Sequence, residues 1–158
     1  MKILAVDDDP IILELLTQFV DAIGDHEITT ALSGSEALEI ARSSGAVPFD
    51  CFLFDIQMPH MDGVQLTKEI RALALYADTP ILMLTAMTDK RYVDAAFSAG
   101  ATDYVTKPFE IMELKARIGL IEGLVEARQS RTKKIFAAQN VSKSALPNET
   151  VETLELFE

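Results

Sequence analysis

Four strand-like runs of this chain each end in a residue that can do chemistry. "ILAV" (3–6) is followed by Asp7, Asp8 and Asp9, "CFLF" (51–54) by Asp55, "PILML" (80–84) by Thr85, and "TDYVT" (102–106) by Lys107 and Pro108. Any one of these acids is explained well enough as a helix cap or a strand end. Four matched strand ends are not. Two or three carboxylates brought together cannot all stay ionised unless a cation joins them. Every candidate ligand is an oxygen, and no Cys or His accompanies them. So hard a ligand set, with few carboxylates and room for water, suits Mg²⁺ better than Zn²⁺ or a full Ca²⁺ cage. A metal held by so few protein groups keeps positions open for phosphate oxygens. The Lys107 ammonium and the Thr85 hydroxyl would reach the same group, an arrangement suited to phosphoryl transfer. Asp55, alone in its loop, can then act as the nucleophile and form an acyl phosphate.

Convergence of these residues depends on the elements that carry them. Apolar runs alternate with helix-period segments up to about residue 125. After the first strand, "PIILELLTQFVDAIG" reads as a helix with Pro10 in its first turn and Gly24 as its stop. "EITTA" (27–31) reads as the second strand, and "SGSEALEIARSSG" as a Ser-capped helix. "VQLTKEIRAL" follows the turn "HMDG", "KRYVDAAFSAG" separates the last two strands, and a final helix starts near Phe109. Five β/α units with short apolar strands predict an α/β fold, a doubly wound (βα)5 parallel sheet covered on both faces. Right-handed crossovers leave few topologies, of which the flavodoxin-like order 2-1-3-4-5 is a common one. In that order the four strands with reactive ends are neighbours about 4.8 Å apart, and the plain second strand lies at the edge.

From about Gly119 the character changes. Ile111, Leu114, Ile118, Ile121 and Val125 keep a spacing of three and four, which predicts a core-facing helix stripe. The pattern lapses at Arg128 and Thr132 and returns at Ile135, so a helical extension to about Ala138 is expected, with a homodimer seam as one use for it. "RQSRTKK" reads as a solvated helix end, and "NVSKSALPNETVETLELFE" as linker and acidic tail. The division expected is 1–125 for the phosphoacceptor domain and 126–158 for helical extension, linker and tail.

Composition excludes several classes. The 158 residues are 49% hydrophobic and 25% charged, with net charge −11, which repels a phosphate backbone and argues against direct nucleic-acid binding. No basic segment precedes an apolar core at the N-terminus, and no apolar run reaches membrane-spanning length, so a cytoplasmic location is the expectation. The single Cys51 allows no disulfide within the chain and reads as a small core residue.

Taken together, "VDDDP", "FDIQMPHMDG", "LTA" and "YVTKPF", in this order and at these distances, resemble the receiver domain of two-component response regulators over about residues 1–125. The resemblance implies Asp55 as phosphoryl acceptor, Asp8 as a direct Mg²⁺ ligand, Asp7 as one acting mainly through water, and Gln57 as donor of a backbone carbonyl. Asp9 falls outside that pair. Thr85 and Lys107 would bond the phosphoryl oxygens, and Lys107–Pro108 would be cis. Tyr104 matches the aromatic position that moves inward when Thr85 is drawn to the phosphate; Gln57 and Met87 match positions that govern water access. The implied partners are a sensor histidine kinase or phosphotransfer protein upstream, and a downstream protein target or fused output domain. Enzymatic turnover is not expected beyond self-phosphorylation and self-dephosphorylation.

Two rivals share parts of the pattern. "DDDPI" approximates the start of haloacid-dehalogenase-like phosphatases, which would make Asp7 the nucleophile. However, no apolar strand ending in an acidic pair follows Lys107, and "DIQMPHMDG" goes unexplained. A flavin-binding protein of the same fold would need a hydroxyl-rich phosphate loop where three carboxylates stand. His60 and His26 are read as surface residues, and the methionines of "MPHM" as packing around Pro59.

Overall fold

The computed structural model describes residues 1–144 apart from 44, 46, 87 and 88. In chain order the elements are β1 (Lys2–Val6), α1 (Pro10–Ile23), β2 (Glu27–Ala31), α2 (Gly34–Arg42), β3 (Cys51–Asp55), α3 (Gly63–Ala72), a 3-10 turn (Ala74–Tyr76), β4 (Ile81–Thr85), α4 (Lys90–Ala99), β5 (Asp103–Thr106) and α5 (Ile111–Ser144). The strands form one five-stranded parallel sheet in the order β2-β1-β3-β4-β5.

Strand alternation sorts the core into two layers. Leu4, Val6, Phe52, Phe54 and Met83 face one way, against Ala37 and Leu38 of α2, Leu66 and Ile70 of α3, and Ala96 of α4. Ile3, Ala5, Leu53, Leu82, Leu84 and Val105 face the other, against Leu13, Leu16 and Val20 of α1 and Leu114, Ile118, Ile121 and Val125 of α5. The three central strands read as continuous apolar runs because both of their faces are covered. Cys51 is fully buried in the second layer, and burial pushes its thiol up to about 12, so it is an inert packing residue.

The helix starts follow from local chemistry. Asp9, Ser33, Asp62 and Asp89 cap α1, α2, α3 and α4 through side-chain oxygens that accept backbone N–H groups. Pro10 occupies the first turn of α1, where a missing N–H costs nothing. Gly100 ends α4 in the left-handed region at φ 115°. Its carbonyl accepts two bonds from the Arg71 guanidinium, which also donates to the carbonyls of Tyr76 and Thr79. One α3 side chain thus stitches the 3-10 turn and the end of α4 to α3.

Three features differ from the sequence reading. α5 starts at Ile111 rather than near Phe109 and continues to Ser144 rather than Ala138. Ile111 is 36% exposed and stands outside the stripe, which runs from Leu114. The imidazole of His26 is only 3% exposed: Nδ1 lies 3.2 Å from the N-terminal nitrogen and Nε2 lies 3.5 Å from Glu122. The N-terminus and Glu122 of α5 flank the ring, and neither neighbour has a local signature in the sequence. The chain divides after Val125 into two units, Met1–Val125 and Glu126–Glu158. Within the second, the helical residues 126–143 are exposed throughout, including the apolar Ile135, Phe136 and Val141. Among the described residues no helix is long and apolar enough to cross a membrane.

Candidate functional site

The site lies at the carboxyl ends of β1, β3, β4 and β5. Parallel register decides what meets there: Val6 pairs with Phe54, Asp55 with Leu84, and Thr85 with Thr106. Asp7 and Asp55 therefore leave adjacent strands at nearly the same height, and Lys107 follows one residue after Thr106. Carboxylate oxygens of Asp7, Asp8 and Asp55 all come within 4.8 Å of one another. Asp7 and Asp55 are buried, whereas Asp8 is exposed.

Lys107 supplies the counter-charge. Its Nζ donates to Asp7 Oδ2 at 2.6 Å and lies 3.2 Å from Asp55 Oδ1. Burial works against the ammonium, but the bonds to Asp7 and Asp55 outweigh it and hold the lysine above its usual range. The balance at Asp55 goes the other way. Burial first, and then the charge of Asp7, push its carboxyl up to about 6, against the opposing pull of Lys107. Three acids and one lysine leave the cluster short of positive charge. An all-oxygen donor set of this spacing, with one exposed member, fits a hard divalent cation.

Neighbouring backbone holds these groups in place. The second Asp7 oxygen accepts the Asp9 N–H at 2.9 Å, and Asp9 turns its own carboxylate to the Ile11 N–H. Asp9 is therefore spent on starting α1. Thr85 is fully buried at the end of β4, and its carbonyl accepts the Lys107 N–H at 2.7 Å. That bond ties the two strand ends together just before the cis Lys107–Pro108 peptide. Gln57 is exposed on the β3–α3 loop, two residues after Asp55, while Met87 lies outside the described residues. Tyr104 is on β5, 38% exposed, with its ring against Phe97 of α4 rather than in the acidic cluster.

Gly63 is a residue whose importance the sequence reading missed. Its N–H donates to the Ile56 carbonyl at 2.8 Å, and a Cβ there would stand 2.2 Å from the Asp55 carbonyl oxygen and 2.9 Å from Ile56 Cα. The α3 N-terminus thus presses directly on the backbone that carries Asp55, which only a glycine permits. The "DG" after "MPHM" was its signal, readable as a cap followed by a close approach. In the same loop Met58 is buried and Met61 packs over Gly34 of α2, while His60 is exposed with a left-handed φ of 67°.

Residues 3–119 match the response regulator receiver domain. The chain belongs to that family. It is 34% identical to the transcriptional regulatory protein CrdR of Helicobacter pylori over 99% of this chain and 72% of that protein. It is 37% identical to the response regulator MprA of Mycobacterium leprae over 91% of this chain and 58% of that protein. Among solved structures, the chemotaxis protein CheY4 of Vibrio cholerae superimposes with a TM-score of 0.70 at 34% identity, covering 76% of this chain and 97% of CheY4. The chain thus spans nearly all of CheY4 but little more than half of MprA. Receiver domains of this family belong to two-component signalling systems.

Proposed function

We propose that this receiver accepts a phosphoryl group on Asp55 from a phosphohistidine partner, with Mg²⁺ as cofactor, and passes the event on through Thr85 and Tyr104. The observation that carries the reading is the triangle of Asp7, Asp55 and Lys107, with Asp8 beside it. Asp7, Asp8 and Asp55 would hold the ion together with the Gln57 backbone carbonyl. Bound there, the ion would supply the positive charge that two buried carboxylates and an incoming phosphoryl group otherwise lack.

The remaining chemistry belongs to the chain. An Asp55 carboxylate oxygen attacks phosphorus as the N–P bond of the phosphohistidine breaks, and the imidazole leaves with the bonding pair and takes up a proton. Ionised Asp55 is the competent form. Lys107, now bonded to Asp7 and near Asp55, can turn its remaining donors to a phosphoryl oxygen. The Thr85 hydroxyl would bond another. If Thr85 bonds better to one arrangement of its neighbours, phosphorylation draws that arrangement out of an existing equilibrium, with Tyr104 as its visible member. The net charge of −11 supports an output through protein contacts rather than a direct hold on nucleic acid. CrdR carries the name of a transcriptional regulator, and an output domain or separate target beyond these residues would do the same work here.

Incubation with Mg²⁺ and a small-molecule phosphodonor tests the assignment. The chain should gain one phosphoryl group that survives acid and is lost in base. Asp55→Asn should abolish it. Persistence in Asp55→Asn with loss in Asp7→Asn would overturn the reading and favour a phosphatase-type nucleophile at Asp7.

A further inference from the structure

Tyr104 does not stand free at the surface. Its ring meets Phe97 of α4 edge to face, with centroids 6.0 Å apart and planes at 83°. Both side chains are partly exposed, 38% for Tyr104 and 42% for Phe97. The pair is therefore a surface clasp between α4 and β5 rather than part of the core. On the sheet, Met83 pairs with Tyr104 and Thr85 with Thr106, so Tyr104 and Thr85 share one face on adjacent strands, two residues out of register. Such diagonal neighbours are about 8 Å apart along the backbone, within reach of a tyrosine ring that rotates about its own side-chain bonds.

The strand itself is held. Asp103 Oδ1 accepts the Tyr104 N–H at 2.8 Å, and Asp103 Oδ2 accepts from Arg117 of α5 at 2.8 Å. With the β5 backbone fixed to α5, the position of the ring is a side-chain choice. One side of that choice is the edge-to-face contact with Phe97. The other is the Thr85 side of the sheet. Phe97 follows Ala96, whose side chain is buried in the core layer with Met83, so the helix is anchored and cannot follow the ring inward.

We infer that Phe97 is a positioning residue that holds Tyr104 outward and so sets how much of the receiver occupies the switched arrangement before any phosphorylation. The inference rests on the reading of Thr85 and Tyr104 as the switch given above. Loss of one aromatic pair shifts a two-state balance by about three- to tenfold. Because coupling is reciprocal, affinity for a phosphoryl mimic rises by the same factor while the switched state is the minor one.

The chain has no Trp and three tyrosines, so fluorotyrosine labelling of the full chain gives three ¹⁹F resonances, assignable with Tyr76→Phe, Tyr92→Phe and Tyr104→Phe. The probe is beryllofluoride with Mg²⁺. In Phe97→Ala without the probe, the Tyr104 resonance should move toward its beryllofluoride-bound position, and half-saturation should need about three- to tenfold less beryllofluoride. Tyr92→Ala, on the same helix, should change neither. A folded Phe97→Ala protein whose Tyr104 resonance and beryllofluoride affinity both match the parent overturns the inference, as does an equal response in Tyr92→Ala. A parent chain that binds beryllofluoride without moving the Tyr104 resonance instead overturns the switch role of Tyr104, and a parent that fails to bind it overturns the phosphoacceptor reading.

Discussion

Lys107 and Asp7 stand 100 positions apart in the chain, yet the ammonium of one lies 2.6 Å from a carboxylate oxygen of the other. Asp7 is 2% exposed at the side chain and Asp55 8%, so Lys107 is what makes two adjoining buried carboxylates tolerable in the metal-free protein. Lys107→Met removes the counter-charge from both and leaves Asp7 only the Asp9 N–H. Breaking a buried pair from one side is costly, and we expect a loss of roughly 2–4 kcal/mol in chelator at neutral pH. Millimolar Mg²⁺ should restore most of it by supplying the missing charge. Urea unfolding with chelator and with Mg²⁺ measures both; equal stability of parent and variant in chelator would remove Lys107 from this role.

Asp55 predicts a pH dependence of definite sign. Its carboxyl is pushed from 3.8 to about 6 in the fold, with burial the first cause and Asp7 the second. The folded state thus binds this proton more tightly than the unfolded chain does. The group's contribution to stability is complete below about pH 4 and is lost as pH rises through about 6. Asp55→Asn never ionises. In chelator at pH 7.5 it should therefore be more stable than the parent by on the order of 1–3 kcal/mol, and the difference should fade toward pH 4. Unfolding series at several pH values read this directly. A difference that grows on acidification would reverse the assignment.

Much of this site was legible because strands report their own ends. An apolar run of four or five residues terminates visibly, and whatever follows it sits at the carboxyl edge of a parallel sheet. Asp7, Asp55, Thr85 and Lys107 could be placed that way, and the register carries them to one edge. Helix caps were legible for the same reason at Ser33, where a hydroxyl precedes a periodic segment. What stayed hidden depends on contacts between distant elements. His26 lies in a polar stretch and is covered only once α5 packs beside it. Arg71 looks like an ordinary helix-end cation, yet its guanidinium gathers carbonyls from three segments. The end of α5 was misplaced because residues 126–143 are exposed on every side, so no apolar period marks them.

His60 offers a stability gain close to the site. It is an exposed residue held at φ 67°, the one non-glycine residue with positive φ among the described residues. A side chain with a Cβ is disfavoured there, and glycine is not. His60→Gly should stabilise the protein by roughly 0.5–1 kcal/mol, the gain being limited by glycine's greater freedom in the unfolded chain. Phosphorylation of Asp55 should be unchanged in extent, since the backbone keeps its path. A destabilised His60→Gly would mean that the imidazole makes contacts worth more than the strain.

Glycines separate the two kinds of constraint in this fold. At Gly63 an added methyl would meet the Asp55 carbonyl oxygen at 2.2 Å and Ile56 Cα at 2.9 Å, so backbone must move. The backbone that moves is the one presenting Asp55, the proposed phosphoacceptor. Gly63→Ala should therefore cost roughly 1–3 kcal/mol as an overpacked site and also slow phosphorylation from a small donor. Gly119 and Gly123 lie within α5 with nothing inside 4 Å of an added Cβ. There the only consequence is helix propensity, and each change to Ala should stabilise by about 0.5–1 kcal/mol without touching phosphorylation. Thermal unfolding of the three single variants, alongside phosphodonor labelling, tests the contrast. The same loss at all three positions would show that close approach at Asp55 is not what demands glycine at Gly63.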